Sequence, residues 1–244
     1  MSCKNWTTPS GETYNLFKDA LTKPHLLVCG STGSGKSVLL NGLISTILYR
    51  FPVDMDGGAG MILIDPKRVE LMDYAHLPHT ITHAAGHKPE QWAAALKLAE
   101  MEMDRRYSVM TGKQYTGADL YVIIDEWAAI RTSGGKECYN SVLRLTSEGR
   151  AAKVHVILAT QYPTAKILPT EIRGNFDWRF ALRTNNATES RIAMNQAGCE
   201  ELPDYGQGYY SLPGKNNNTL YEIPYVEQSE IDRLIAWWMQ QEHG

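Results

Sequence analysis

Residues Gly30 to Ser37 read GSTGSGKS, the spacing GxxxxGK[ST], between the apolar run His25 to Cys29 (HLLVC) and a stretch of helical periodicity from Val38 to Tyr49. Each part of that string has physical work to do. Glycines let the backbone curl until its N–H groups point inward, and the following helix adds the partial positive charge of its N-terminus. In this reading Gly30, Ser31, Thr32, Gly33, Ser34, Gly35, Lys36, Ser37 and Val38 cradle a nucleotide, with Lys36 on the β and γ phosphates and the Ser37 hydroxyl on Mg²⁺. The alternative is a glycine-rich turn that merely joins a strand to a helix. The strand, loop and helix context is the one a phosphate loop demands.

A loop of this kind needs a buried strand behind it, and the chain supplies more of them. Met61 to Ile64, Thr80 to Ala85, Tyr121 to Ile124 and Val154 to Ala159 are short apolar runs, of which Met61 to Ile64 follows the turn-rich break Asp54 to Gly60, and Trp178 to Arg183 is expected as a further strand. Between and after them helices are expected over Pro89 to Met110, Glu137 to Ala152 and Ala187 to Gln196. A hairpin is expected from Gly208 to Leu212 and Thr219 to Val226 around the turn Gly214 to Asn218 (GKNNN). Alternating strands and helices give an α/β fold, a mostly parallel central sheet covered by helices on both faces. The 244 residues suit one domain, 24–244, behind a lead-in segment 1–23 and closed by a terminal helix over 229–241.

The run Tyr121 to Ile124 ends in Asp125-Glu126. A strand end of this kind places Asp125 to hold Mg²⁺ and Glu126 to polarise an attacking water, which turns nucleotide binding into hydrolysis. Gln161 ends the next strand, where its amide can sense the γ-phosphate. No NKxD element for reading guanine is present, which favours ATP. With 24 Lys and Arg against 27 Asp and Glu the chain carries a net charge of −3, so any contact with DNA has to be local. Cys3, Cys29, Cys138 and Cys199 lack metal-ligand spacing and read as free thiols of a reducing cytoplasm. No run of apolar residues is long enough for a membrane span.

Six runs, PHLLVCGSTGSGKSVLLN (24–41), ILIDPKRVEL (62–71), MEMDRRY (101–107), VIIDEWA (122–128), GRAAKVHVILATQYP (149–163) and ESRIAMNQAGCEEL (189–202), resemble in order the motor domain of the FtsK/SpoIIIE DNA translocases. The resemblance implies a RecA-like fold, assembly of copies into a hexameric ring, and pumping of double-stranded DNA through the hole by ATP hydrolysis. It carries over Gly30, Gly35, Lys36 and Ser37 as the nucleotide loop, Asp125 and Glu126 as Mg²⁺ and water residues, and Gln161 as sensor. It also implies an arginine reaching into the neighbouring subunit's site, a place that Arg150 occupies, with Arg191 as rival and a helix C-terminal cap as the plainer role for Arg150. Lys67 matches a family position near the nucleotide, with no role assigned.

Large members of the family add membrane spans and a DNA-reading winged helix, and the expectation here is a compact stand-alone motor of a mobile element or phage, with an excised motor domain as the alternative. Where the family more often has Phe, this chain has Trp127, read as an equivalent packing residue. Loops after parallel strands gather at the sheet's carboxyl edge. The segment Arg131 to Lys136 (RTSGGK), with Lys166 and Arg173, therefore supplies candidate contacts to a duplex backbone, against the alternative of ordinary surface charge. Two rival functions remain: a related ATPase that moves protein, as in type VII secretion, and a nucleotide-gated assembly protein without turnover. No loading or anchoring partner is indicated by the sequence.

Overall fold

The computed structural model describes residues 6–7, 13–14, 20–21, 23–51, 58–211, 218–223 and 225–241. Most of the expected lead-in, residues 54–57 of the expected break, residues 214–217 of the expected turn, and Cys3 lie outside them. A short antiparallel pair, β1 (Trp6–Thr7) and β2 (Thr13–Tyr14), precedes the main body.

The main body follows from the apolar runs. Strands β3 (His25–Cys29), β4 (Ala59–Asp65), β5 (Thr80–Ala85), β6 (Asp119–Ile124), β7 (Val154–Thr160), β8 (Trp178–Ala181), β9 (Gln207–Ser211) and β10 (Thr219–Glu222) form one sheet in the order β10-β9-β8-β3-β7-β6-β4-β5. The strands from β8 to β5 pair in parallel, and β9 is antiparallel to both its neighbours. β3 and β7 are buried at every residue, as strands covered on both faces must be.

Alternation along the strands divides the core in two. Leu27, Ile64, Val122, Ile124, Val156 and Leu158 face α2 (Pro89–Val109) and α4 (Gly135–Glu148), where Trp92, Leu96, Met103, Val142 and Leu145 meet them. Leu26, Val28, Leu63, Ile123 and Ile157 face α1 (Lys36–Arg50), through Leu40, Leu43, Ile44 and Ile47. His25 sits among these strands as a neutral group. Burial first, and then His155, push its imidazole down to about 3, and its Nδ1 accepts the Val156 N–H at 3.1 Å.

The remaining helices are α3 (Trp127–Ser133), α5 (Thr170–Arg173), α6 (Ala187–Met194) and α7 (Gln228–Gln241). Helix α7 closes on α1 through Trp238, whose Nε1 donates to the Leu48 carbonyl at 3.1 Å and whose ring meets His79 edge-on. Two expectations are corrected. The segment Arg131 to Lys136 is not a loop: Arg131 is in α3 and Lys136 in the first turn of α4, with the break confined to Gly134 and α4 opening on Gly135 at φ 68. Helix α4 stops at Glu148, four residues short of Ala152, which leaves Arg150 in the turn before β7.

Candidate active site

The glycine loop hangs between two strand ends. Gly30 N–H donates to the Thr160 carbonyl at the end of β7, at 3.2 Å. Ser31 N–H and Oγ donate to the Arg183 carbonyl beyond β8, at 2.8 and 3.0 Å. A Cβ on Gly30 would lie 2.5 Å from Ser34 Oγ and 2.9 Å from Leu182 Cβ, so the entry to the loop admits glycine alone. Gly35, at φ 96, turns the chain into α1, whose first turn carries no side-chain cap. Those uncapped N–H groups are the donors a phosphate needs.

Lys36 begins α1 and is buried. Its Nζ lies 2.5 Å from Asp125 Oδ1 and 3.1 Å from the Asp125 carbonyl, across from the end of β6. Burial raises the Asp125 carboxyl above the usual range, and Lys36 opposes that rise. Asp125 Oδ2, also buried, has no hydrogen-bond partner. A buried carboxylate oxygen left without a donor, with the Ser37 hydroxyl in the first turn of the facing helix, is the oxygen set that suits Mg²⁺.

Glu126 is held more tightly. Its Oε1 accepts from Thr160 Oγ1 at 3.1 Å, Gln161 N–H at 3.2 Å and Ala128 N–H at 3.4 Å, and its Oε2 accepts from Lys67 Nζ at 3.0 Å. The Ala128 bond caps α3, which explains why a helix starts directly after the acidic pair. Gln161 Oε1 in turn accepts from Thr32 Oγ1 of the glycine loop at 3.1 Å. Beside these groups a cavity of about 520 Å³ is lined by Ser31, Thr32, Gly33, Gln161, Tyr162 and Arg183, among others, with Arg183 ion-paired to Asp204 at its rim.

The structure thus brings Lys36, Asp125, Glu126, Gln161 and residues 30–38 to one edge of the sheet. It does not bring Arg150 there. Arg150 is exposed in the turn before β7, at the strand's amino end. The strand residues Val154 to Ala159 lie between it and Thr160, about 20 Å, more than one side chain can span. Arg191, also exposed, lies on α6, which follows β8. Of the candidate duplex contacts, Arg131 stacks on Tyr139 with its Cζ 4.6 Å from the ring centre, while Lys136 and Lys166 are exposed. Arg173 is half-buried and donates to Thr170 Oγ1 at 3.4 Å. The Tyr139 hydroxyl donates to Glu171 Oε1 at 2.6 Å, which links α4 to the segment carrying Lys166 and Arg173.

Sequence reading missed Thr160, whose hydroxyl is within reach of Glu126 because β7 lies next to β6, and it left Lys67 without a partner. It also read Trp127 as interchangeable with Phe. The indole Nε1 donates to the Ile167 carbonyl at 2.7 Å and ties the acidic strand end to the chain after β7. Trp127→Phe keeps the ring and strands that buried carbonyl. Urea unfolding should show a loss of about 1–3 kcal/mol; an unchanged midpoint would mean that the bond contributes nothing.

A glycine loop between strand and helix, an acid-ended strand, and a third strand paired between the two define the class: a RecA-like P-loop nucleoside-triphosphatase fold. The family model for the FtsK/SpoIIIE family matches residues 8–119. The DNA translocase FtsK of Helicobacter pylori strain J99 is 32% identical over 228 residues, covering 87% of this chain and 26% of that protein. The chain belongs to the FtsK/SpoIIIE family, and it spans about a quarter of the length of the curated relatives it matches. Among solved structures, the pCW3 conjugation coupling protein TcpA, in a monomer form with ATPγS, superposes with a TM-score of 0.77 at 18% identity, covering 98% of this chain and 70% of that one. The cytoplasmic domain of the type VII secretion ATPase EccC of Thermomonospora curvata gives 0.74 at 20% identity, covering 96% of this chain and 30% of that one. Among the described residues no helix is long and apolar enough to cross a membrane.

Proposed function

We propose that this chain is the motor domain of an ATP-dependent double-stranded DNA translocase that works as a ring of identical subunits, on the DNA of a mobile element or phage. The observation that carries the reading is the meeting of Lys36, Asp125, Glu126 and Gln161 around one glycine loop, in a member of the FtsK/SpoIIIE family.

In that reading the loop's N–H groups bind the phosphates of ATP, and the Lys36 ammonium leaves Asp125 to meet them. Ser37 Oγ and Asp125 would hold Mg²⁺, which supplies charge neutralisation across the β and γ phosphates. Glu126 takes the proton of the attacking water, and Gln161 reports the state of the γ-phosphate to β7. Arg150 completes the site of the next subunit, since its own Lys36 lies at the other end of the sheet. Arg131, Lys136, Lys166 and Arg173 contribute backbone contacts to the duplex, and six copies around an axis concentrate cations that one net acidic subunit lacks.

The deciding measurement is ATP turnover with and without long duplex DNA. Turnover should rise about tenfold or more with duplex, well below the thousandfold or more of an arginine that completes a phosphoryl-transfer site. Turnover indifferent to DNA would remove the translocase reading and leave a protein-moving ATPase or a nucleotide-gated assembly protein.

A further inference from the structure

The donors on Glu126 are unevenly shared. A carboxylate oxygen offers about two acceptor positions; Thr160 Oγ1, Gln161 N–H and Ala128 N–H crowd Oε1, and among the described residues Lys67 Nζ is the one donor on Oε2, the oxygen with a position left for water. Two of these donors are backbone groups, and Thr160 is fully buried between paired strands. Lys67 differs: its side chain is 41% exposed while that of Glu126 is 3% exposed, and a lysine ammonium rides on a flexible stem.

The base of that stem is fixed. Asp65 Oδ1 accepts Lys67 N–H at 3.1 Å, and Oδ2 accepts Val69 N–H at 2.9 Å and Leu71 N–H at 3.1 Å. Arg68, at φ 57, sharpens the turn. A lysine whose backbone is pinned and whose ammonium is half in solvent can release an acid without disturbing the strand beneath it. The two backbone donors cannot leave without opening the end of β7 or the first turn of α3, and the Thr160 hydroxyl can leave only by turning inside the buried core.

We propose that Lys67 is a positioning residue that occupies Glu126 Oε2, the oxygen with a position left for water, in the resting arrangement, and that the pair must open before Glu126 can accept a proton from water. This rests on Glu126 being the hydrolytic carboxylate. Lys67 then sets how often a subunit hydrolyses ATP when nothing engages it, and its exposed side is where an engaged partner acts on the site.

The test uses the whole chain with Mg²⁺ and ATP, without DNA. Lys67→Met should raise basal kcat about three- to tenfold, the rate equivalent of losing one half-exposed ion pair, with KM for ATP within about twofold of wild type, as expected when a change acts on the step and not on binding. Lys67→Arg should return kcat towards the wild-type value. Without any nucleotide, amide hydrogen exchange at Gln161 should quicken in Lys67→Met, because a carboxylate freed at Oε2 no longer stays fixed as the acceptor of that N–H. Basal turnover at or below wild type, or unchanged exchange at Gln161, overturns the proposal. Glu126→Gln is run beside it: wild-type turnover in that variant would sink the hydrolytic role itself, whereas a dead Glu126→Gln with an unaltered Lys67→Met sinks the tether alone.

Discussion

Lys36→Ala is expected to lower ATP turnover by about a hundredfold or more, the loss seen when one preorganised charged donor leaves a reacting centre. Two effects add. The phosphates lose their ammonium, and Asp125 loses the partner that holds its buried carboxyl down against desolvation. Without Lys36 the carboxyl rises further and binds a proton more readily, so the oxygen set for Mg²⁺ is degraded as well. Stability should fall too, by up to about 3 kcal/mol. The sign with pH follows: the native variant holds a proton that the unfolded chain has already released, so its deficit grows as pH rises above the unfolded carboxyl's range and shrinks in acid. Lys36→Ala with Asp125→Asn should recover the stability and none of the turnover. Wild-type hydrolysis by Lys36→Ala would remove the nucleotide site from this loop.

Arg150→Ala should bind ATP as wild type does and hydrolyse it about a thousandfold more slowly, the scale of an arginine supplied in trans. The distance along β7 makes the sharper claim. Since Arg150 is out of reach of its own Lys36, a subunit lacking it still owns a whole loop and Glu126, while a Glu126→Gln subunit still owns Arg150. Mixing the two dead variants should therefore restore part of the turnover. No recovery on mixing, or normal hydrolysis by Arg150→Ala alone, would defeat the assignment and turn attention to Arg191, which the same pair of assays tests.

Much of the architecture is legible because its signals are local. A five-residue apolar run closed by glycine, or Pro89 opening twenty-one residues of helix, declares itself within a few positions, and the observed ends of β3 and α2 fall within one residue of the expected ones. What stays hidden is set by distance in sequence. Lys67 and Glu126 are 59 positions apart and Trp127 and Ile167 are 40 apart, and both pairings depend on strand order, which no periodicity encodes. Helix α3 escaped for a related reason: its cap is the side chain of Glu126, a residue whose strand-end reading concealed a second task.

β7 is buried along its whole length and paired on both sides, to β3 and to β6. Its far end touches the glycine loop through Gln161 and Thr32 and the acidic pair through Thr160 and Glu126, while the turn before its near end carries Arg150. Such a strand is fixed in register, since a slip would break both ladders and turn its side chains to the wrong faces. In a closed circle of subunits it would act as a rigid spacer, with one nucleotide's γ-phosphate at its tip and, where Arg150 reaches across, the neighbour's at its heel.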